Sequence, residues 1–352
     1  MRNKVITIRE VAKQAGVSVG TVSNVLNGKY DGVNSDKRDR VLEVVRELGY
    51  RPNAIARSMV TRSTATIGLI ISELKNPLFV PVVEGVQEVL SSEGYHIVLA
   101  EASDMESEAK AIETLRRQQV DGFIFMSLSY RYPSEHLNSL KEEEFPFVVI
   151  NRDLSDPGIN LVQLDDLGAG YTATKHLLEL GHTRIAAING PIYNNLPRRS
   201  AIERHNGWHK ALQEKGLETP PEWNIVGEYS LKDGYNAAQQ LITLLKNSSQ
   251  PPTALFVADD TMAVGALRAF IKAGVRVPED LALVTIGDPP IAAYTVPALT
   301  TLSLPVVAAG KVAARILLTW IKAETPPRPQ KVWLSFSLHI RESCGTPLNY
   351  QL

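Results

Sequence analysis

Apolar residues recur at helical spacing through the first fifty positions of the chain. Three short runs carry them, at Ile8, Val11, Ala12 and Ala15, then Val22, Val25 and Leu26, then Val41, Val44, Val45 and Leu48. Residues three or four positions apart lie on one face of a helix. The pattern therefore predicts three short helices within residues 1–50.

From Ile67 onward the pattern changes to short apolar runs that are separated by amphipathic stretches. Continuous runs rich in Val, Ile and Leu are typical of parallel strands covered by helices on both faces. Eight strands are predicted, at Thr66–Ile71, His96–Ala100, Gly122–Met126, Phe147–Ile150, Arg184–Ile188, Ile225–Gly227, Ala254–Val257 and Leu281–Ile286. Such a series either closes into one barrel or divides into two open sheets, and the pattern leaves both possible.

The segment RPNAIARSMVTR joins the two parts of the chain. It begins with Arg51 and Pro52, and its Ala and Met residues permit a helix. An isolated helix of this length is marginal in water. Residues 51–63 are therefore predicted to form a linker that becomes helical on binding.

Charge is distributed unevenly along the 352 residues. The net charge of the whole chain is -1, but residues 1–62 carry twelve Lys or Arg against six Asp or Glu. A basic end on an acidic body fits a head that binds a polyanion, because neutralising phosphates releases condensed counterions. A solvated basic surface is the alternative on charge alone.

Several classes of protein are disfavoured by the sequence. The single Cys344 allows no intrachain disulfide and no multi-cysteine zinc site. The N-terminal MRNKVITIREVAKQ has no apolar export core, and no stretch approaches the ~20 apolar residues of a membrane span. No GxGxxG, Walker or GxSxG motif occurs. We expect a cytoplasmic protein that is not an enzyme and has no cofactor or metal.

The stretch TIREVAKQAGVSVGTVSNVLN has the grammar of a helix-turn-helix. Thr7 and Ser18 are placed to cap the two helices, and Gly16 permits the left-handed turn between them. The second helix is expected to bury Val22, Val25 and Leu26 and to expose Val19, Gly20, Ser23, Asn24 and Asn27. A generic helical hairpin has the same periodicity.

This stretch, together with VNSDKRDRVLEVVRELGYRPNAIARSM, resembles the head and hinge of the lactose-repressor/galactose-repressor (LacI/GalR) family of bacterial transcriptional regulators. The resemblance implies phosphate contacts by Thr7, Ser18, Thr21, Ser23 and Asn27, and base readout by Val19, Gly20 and Asn24. It also implies that hinge helices enter the minor groove, with Met59 wedging between bases and Asn53, Ala56, Arg57 and Ser58 alongside. Asn24 stands where the family commonly has Arg. Asn favours adenine, whereas Arg favours guanine.

The resemblance continues through segments such as IGLIISELKNPLF, ERHNGWHKAL and TALFVADDTMAVGALRAFIKAGVRVPEDLALVTIGD. It implies an α/β body like that of periplasmic binding proteins, with two doubly wound parallel-sheet subdomains and a ligand cleft between them. The candidate effector-binding residues are Asn76, Phe79, Asn151, Arg152, Asp153, Arg204, Tyr229, Asp259, Gly287 and Asp288. Asp259 is equally a candidate helix N-cap. Three of these residues depart from the family pattern, namely Asn151, Asp259 and Gly287.

The expected organisation is a head at residues 1–50, a hinge at 51–63 and an effector-binding and dimerisation domain at 64–352. The chain is expected to cross between subdomains near Leu164, Pro290 and Glu324, giving an N-subdomain of about 64–164 plus 291–323 and a C-subdomain of about 165–290 plus 324–345. We expect a homodimer on a pseudo-palindromic operator, with a sugar or sugar derivative as effector. The sequence does not decide whether the protein represses or activates transcription, or whether its ligand is an inducer or a co-repressor.

Overall fold

A computed structural model describes residues 6–50, 63–74, 76–126, 135–152, 156–192 and 198–346. The chain divides into two compact units, residues 1–64 and 65–352, which we call the head and the body. Each unit has a hydrophobic core of its own.

The head contains the three predicted helices, α1 (Ile8–Ala15), α2 (Val19–Leu26) and α3 (Ser35–Leu48). Their apolar faces meet in one small core, whose fully buried members include Val11, Val22, Val41 and Val44. The residues at helical spacing are thus the ones that pack, as the sequence pattern predicts.

The body alternates strands and helices from Thr66 to His339. Its elements are β1 (Thr66–Ile71), α4 (Phe79–Ser92), β2 (His96–Glu101), α5 (Met105–Arg117), β3 (Gly122–Met126), α6 (Glu135–Glu142), β4 (Phe147–Ile150), β5 (Leu161–Leu164), α7 (Asp166–Glu179), β6 (Ile185–Asn189), α8 (Arg199–Gln213), β7 (Asn224–Val226), α9 (Leu231–Asn247), β8 (Ala254–Val257), α10 (Asp260–Ala273), β9 (Ala282–Ile286), β10 (Thr300–Ser303), α11 (Val306–Lys322), β11 (Lys331–Leu334) and β12 (Ser337–His339). Short 3-10 turns lie at Pro221–Trp223, Pro290–Ala293 and Glu342–Cys344.

These strands form two open sheets, so the barrel alternative is excluded. The first sheet has the order β11-β5-β4-β3-β1-β2 and is parallel throughout. The second has the order β12-β10-β9-β8-β6-β7, in which only β12 is antiparallel to its neighbour. The expected pair of doubly wound subdomains is therefore present.

Two of the three expected crossings between subdomains are wrong. β10 belongs to the second sheet and α11 packs on the first, so the chain crosses between Ser303 and Val306 and not near Pro290. β11 belongs to the first sheet and β12 to the second, so the last crossing lies between Leu334 and Ser337 and not near Glu324. None of the short strands β10, β11 and β12 was predicted from the sequence, so the expected crossings were misplaced.

Glycines allow close approach of the helices that cover the sheets. A Cβ added to Gly170 of α7 would lie 2.2 Å from the backbone oxygen of Arg204 in α8. A Cβ on Gly207 of α8 would lie 2.3 Å from the backbone oxygen of Leu167 in α7. Because backbone atoms cannot retract as a flexible side chain can, the α7–α8 contact requires glycine on both sides.

Candidate functional site

Side-chain caps fix the turn between α1 and α2. Thr7 is the N-cap of α1. Its Oγ1 accepts from the backbone N–H of Glu10, and its own N–H donates to Glu10 Oε2 at 2.8 Å. Ser18 is the N-cap of α2, and its Oγ accepts from the N–H of Thr21 at 3.0 Å. Gly16 has a φ of 67°, the left-handed conformation that the turn requires. The three predicted local roles of Thr7, Gly16 and Ser18 are confirmed.

The outer face of α2 is available to a partner. Its exposed residues are Val19, Gly20, Asn24 and Asn27, whereas Thr21 and Ser23 are half-buried. The Asn24 side chain forms no hydrogen bond to any residue of the described head. A Cβ on Gly20 would meet only Ser18 Oγ, at 3.6 Å, so this position has room for a side chain. The predicted reading residues thus form one accessible face.

Six predicted site residues lie outside the described residues. Five of them belong to the hinge and one follows the fourth strand of the body; they are Asn53, Ala56, Arg57, Ser58, Met59 and Asp153. Their assignments stay predictions from the family resemblance.

A cavity lies in the body, lined by residues that follow strands of both sheets. Six of the predicted effector-binding residues line it, namely Asn76, Phe79, Asn151, Arg204, Tyr229 and Asp259. Its volume is about 60 Å³, well below the ~300–1,000 Å³ of typical pockets for small molecules. A ligand of sugar size therefore requires the cavity walls to move apart.

Arg204 is the central cation of the cavity. It is buried, its Nε donates to Asp166 Oδ1 at 2.8 Å and its Nη1 donates to the carbonyl oxygen of Ala258 at 2.7 Å. Burial alone would lower the pKa of Arg204, but the negative charge of Asp166 and, less strongly, that of Asp259 raise it. Arg204 consequently stays charged, and the planar guanidinium is held by two contacts that fix its direction.

Asn151, at the end of the fourth strand of the first sheet, bonds both Asp166 and Arg199. Its Nδ2 donates to Asp166 Oδ2 at 2.9 Å, and its Oδ1 accepts from Leu164 N–H at 3.2 Å and from Arg199 Nη1 at 3.1 Å. Its φ is 52°, a left-handed conformation that Asn tolerates better than most residues. The amide is suited to this place because it donates and accepts at once, which an Asp could not do when ionised.

Asp259 has the structural role that was expected as an alternative. Its Oδ1 accepts from the N–H groups of Thr261 at 3.0 Å and Met262 at 3.3 Å, which makes it the N-cap of α10. It also lines the cavity, so the cap and a ligand contact are compatible. Burial raises the pKa of Asp259, while Arg204 and the two N–H donors oppose that rise.

The neighbouring Asp260 gives the body a dependence on pH. Burial, and then the charge of Asp259, raise the pKa of Asp260 from 3.8 to about 7. Between those two values the folded protein holds a proton that the unfolded chain has lost, so stability falls as the pH rises from 4 to 7. We expect Asp260→Asn to raise the melting temperature more at pH 8 than at pH 5. Thermal unfolding at the two pH values measures this.

The matched control is Asp280→Asn in the same subdomain. Hydrogen bonds from Arg276 lower the pKa of Asp280 to about 2, so it stays ionised at both pH values. Its substitution should shift the melting temperature equally at pH 5 and pH 8. An equal shift for Asp260→Asn as well would contradict the raised pKa.

Two aromatic side chains form part of the cavity wall. Phe79 is the first residue of α4, and Tyr229 lies before α9 with a φ of 60°. Burial raises the pKa of Tyr229 to about 12, so its hydroxyl stays protonated. Gly190 makes room for this ring, since a Cβ there would lie 2.2 Å from Tyr229 Cζ. The guanidinium of Arg198 covers the ring at 5.4 Å from its centroid.

Three predicted effector residues do not line the cavity. Arg152 is buried on the other side of its strand end, where it forms a two-bond ion pair with Glu108 of α5 at 2.5 and 3.2 Å. Asn151 and Arg152 are adjacent in sequence, but the Asn151 side chain bonds Asp166 whereas the Arg152 side chain bonds Glu108. In this structure Arg152 therefore has a structural role, as the partner of Glu108 in a buried ion pair.

Asp288 and Gly287 also lie away from the cavity, and both are in contact with other residues of the second subdomain. Asp288 accepts from Arg341 Nη2 at 2.8 Å, Thr301 Oγ1 at 2.9 Å and the ring of His339 at 2.6 Å. Gly287 has a φ of 99°, and a Cβ there would overlap the carboxylate of Asp260. Two of the partners of Asp288, His339 and Arg341, follow it by more than fifty residues, which sequence spacing could not reveal.

Among the described residues, six that line the cavity and two that orient it were not predicted from the sequence. The wall residues are Ser72, Leu78, Met126, Ile150, Arg198 and Ser200. The orienting residues are Asp166, which is fully buried, and Arg199, whose Nη1 lies 3.5 Å from Asp166 Oδ2. The available signal was position, since Ser72, Met126 and Ile150 end or follow predicted strands.

The described residues contain neither a membrane-spanning helix nor a cluster of metal ligands. No helix there has the length and apolar character needed to cross a membrane. No group of three or more His, Cys, Asp or Glu in that part of the chain is arranged to hold a metal ion.

Comparison with known proteins agrees with this architecture. Residues 7–53 match the model of bacterial regulatory proteins of the lacI family, and residues 174–344 match a periplasmic binding protein-like domain. The HTH-type transcriptional repressor PurR of Haemophilus influenzae (strain PittEE) is 35% identical over 342 residues, which cover 96% of this chain and 98% of that relative. The chain belongs to the LacI family. As a member of the LacI family it is a DNA-binding transcriptional regulator and not an enzyme.

Solved structures of LacI-family proteins share the whole architecture. A Lac repressor dimer bound to operator and the anti-inducer ONPF is 28% identical with a TM-score of 0.82, covering 97% of this chain and 99% of that chain. A complex of the transcriptional regulator CelR with cellobiose is 33% identical with a TM-score of 0.70, covering 96% and 99%. Both comparisons extend over head and body.

Proposed function

We propose that this LacI-family protein is a repressor of sugar or related metabolic genes whose operator affinity is set by a sugar or sugar derivative in the body cavity. The cavity carries the proposal. Arg204 and Asn151 supply donors, Asp259 supplies an acceptor, and Phe79 and Tyr229 supply apolar ring faces. Sites for hydroxyl-rich ligands combine a few fixed polar groups with such apolar surface. The CelR structure, which holds cellobiose, is consistent with this class of ligand.

The DNA-binding unit in this proposal is a homodimer acting on cytoplasmic, nucleoid DNA. One short reading helix covers only a half-site, so two heads related by a two-fold axis are needed for a pseudo-palindromic operator. The related Lac repressor binds its operator as a dimer. Ligand binding must widen the small cavity, and the resulting shift between subdomains changes whether the hinge segments order on DNA.

The test is a thermal-shift screen against sugars and sugar derivatives, followed by operator-binding measurements with each hit. A ligand that binds the native state raises the melting temperature by mass action. We expect a hit that also changes operator affinity. Asp259→Asn keeps an oxygen for the α10 N-cap and removes the charge, so it should weaken the hit while the fold persists. A hit that left operator affinity unchanged would contradict the proposed coupling.

The exposed Asn24 side chain gives a second prediction. We expect Asn24→Arg to shift the preferred base at one position in each half-site from adenine to guanine, because Arg pairs with guanine O6 and N7. The discrimination should be about 1–3 kcal/mol at that position. Competition binding with operators that differ only at single base pairs measures it.

The control for this prediction is Lys13→Ala in α1, where a change in charge without base readout is expected. Lys13 is exposed in the last turn of its helix. Its loss should weaken all operators alike and reduce the salt dependence. An Asn24→Arg protein that likewise weakened every operator equally would exclude base readout by residue 24.

A further inference from the structure

Trp333 is an exposed aromatic residue beside one of the crossings between the two subdomains. It is the third residue of β11, and the next residue, Leu334, is the last before the chain crosses to β12. Trp333 is 61% exposed, so its indole does not fill the core of the first subdomain. What the ring contributes therefore depends on the contact that it makes at the surface.

That contact is with Arg199, the first residue of α8. The guanidinium carbon of Arg199 lies 5.9 Å from the centroid of the Trp333 ring. Its Nη1 donates to Asn151 Oδ1 at 3.1 Å, where Asn151 follows β4 of the first sheet. Its other contact, with Asp166 at 3.5 Å, lies within the second subdomain. One side chain of the second subdomain thus contacts two separate parts of the first.

Two of the three segments that cross between the subdomains are joined beside this arginine. The N–H of Asp165, between β5 and α7, donates to the carbonyl oxygen of Leu334 at 3.3 Å. β5 and β11 pair in parallel, with Trp333 opposite Gln163. A rotation of one subdomain against the other turns about the crossing segments, so it moves α8 relative to β4 and β11. Such a rotation separates Arg199 from both Trp333 and Asn151.

α8 contacts the first subdomain a second time through Arg198. Its Nη2 lies 3.9 Å from Glu73 Oε2, and both side chains are partly exposed. An ion pair of this length in contact with water contributes little to the free energy of a conformation. The contacts of Arg199 are therefore the stronger of the two.

We propose that Arg199, Trp333 and Asn151 form a subdomain lock, which holds the body in the arrangement that has the narrow cavity. Trp333 is a positioning residue in this lock, since it acts through Arg199. The Arg199 side chain is only 11% exposed, and a cation is held over an indole more strongly where water is excluded. The lock favours the narrow arrangement alone, so it biases the equilibrium between narrow and open bodies.

This inference rests on the proposed function in one respect, namely that a ligand of sugar size is what opens the lock. The narrow cavity of about 60 Å³ has to widen before such a ligand fits. Part of the binding free energy of the ligand is then used to separate Arg199 from the first subdomain. A weaker lock should leave the body open more often in the absence of any ligand.

Hydrogen exchange of the full-length protein, without ligand or DNA, measures this opening by mass spectrometry. Residues 76–80 and 258–262 include cavity-lining positions from the two subdomains and belong to other elements than the lock. We expect Trp333→Ala and Arg199→Gln each to speed exchange in both segments by at least about threefold, because the open population rises. Fraying of β11 alone would speed exchange only near residues 331–334.

Three further variants separate the lock from a local effect on β11. Trp333→Phe keeps a ring under the guanidinium and should restore most of the protection. Lys331→Ala removes an exposed side chain from the same strand and should leave both cavity segments unchanged. The double variant, which combines Trp333→Ala with Arg199→Gln, should exchange no faster than either single variant, because both remove the same contact.

Unchanged exchange at residues 76–80 and 258–262 in Trp333→Ala would overturn the proposal. Effects of the two single variants that multiplied in the double variant would also overturn it, since the two residues would then act independently. Either failure would leave the proposed function standing, because the thermal-shift screen tests ligand binding by the wild-type protein.

Discussion

Arg204→Ala is expected to lower the free energy of unfolding by about 3–5 kcal/mol, because it leaves the buried Asp166 carboxylate without its main ion partner. Asp166 is fully buried, and Arg204 Nε lies 2.8 Å from Asp166 Oδ1. The substitution also leaves the carbonyl oxygen of Ala258 without its 2.7 Å donor. Urea unfolding followed by circular dichroism measures the loss.

Arg199→Ala is the matched control for this prediction. Arg199 also faces Asp166, but at 3.5 Å and with a side chain that remains partly exposed. Its loss should cost less than that of Arg204, because its contact with the carboxylate is longer and Arg204 remains to neutralise Asp166. If Arg204→Ala cost no more than Arg199→Ala, the buried pair would not be the element that fixes this corner of the cavity.

Gly170→Ala is expected to lower the free energy of unfolding by about 3 kcal/mol, at the upper end of overpacking effects. The added Cβ would lie 2.2 Å from the backbone oxygen of Arg204, so α7 and α8 must separate. This separation displaces Arg204 from Asp166, and the response of the protein to its ligand should weaken as well. Thermal unfolding and the ligand-induced shift in melting temperature measure the two effects.

Gly20→Ala makes the same change in a helix where nothing obstructs it. The nearest atom to the new Cβ is Ser18 Oγ, at 3.6 Å. Alanine is favoured over glycine in a helix interior by about 1 kcal/mol, so the head should be unchanged or slightly more stable. A loss in Gly170→Ala that was no larger than the change in Gly20→Ala would contradict the close α7–α8 contact as its cause.

Local sequence determined the elements whose causes are local. The caps at Thr7 and Ser18 and the left-handed Gly16 depend only on residues within one helical turn. Strands β1, β3, β4 and β8 begin and end at the predicted residues, because each is a continuous apolar run that is buried on both faces. Burial on both faces removes the polar alternation that would blur such a run.

The cavity could be predicted only in part. The ends of parallel strands mark the edge where ligands bind, which correctly brought Asn76, Asn151 and Asp259 together. The same rule also selected Arg152 and Asp288, because position along the chain does not specify which way a side chain points or which partner has already occupied it. Asp166 was missed since it follows β5, a strand that was not predicted from the sequence.

The sequence by itself thus determined the helix-turn-helix, the alternation of strands and helices, and, through the family pattern, the existence of a ligand cleft. Tertiary structure decided where the chain crosses between the two sheets and which polar side chains remain to meet a ligand. β10, β11 and β12 are held in their sheets by backbone pairing to distant strands, and Asp288 is taken by Arg341 and His339. These contacts join residues far apart in the chain, so no local periodicity records them.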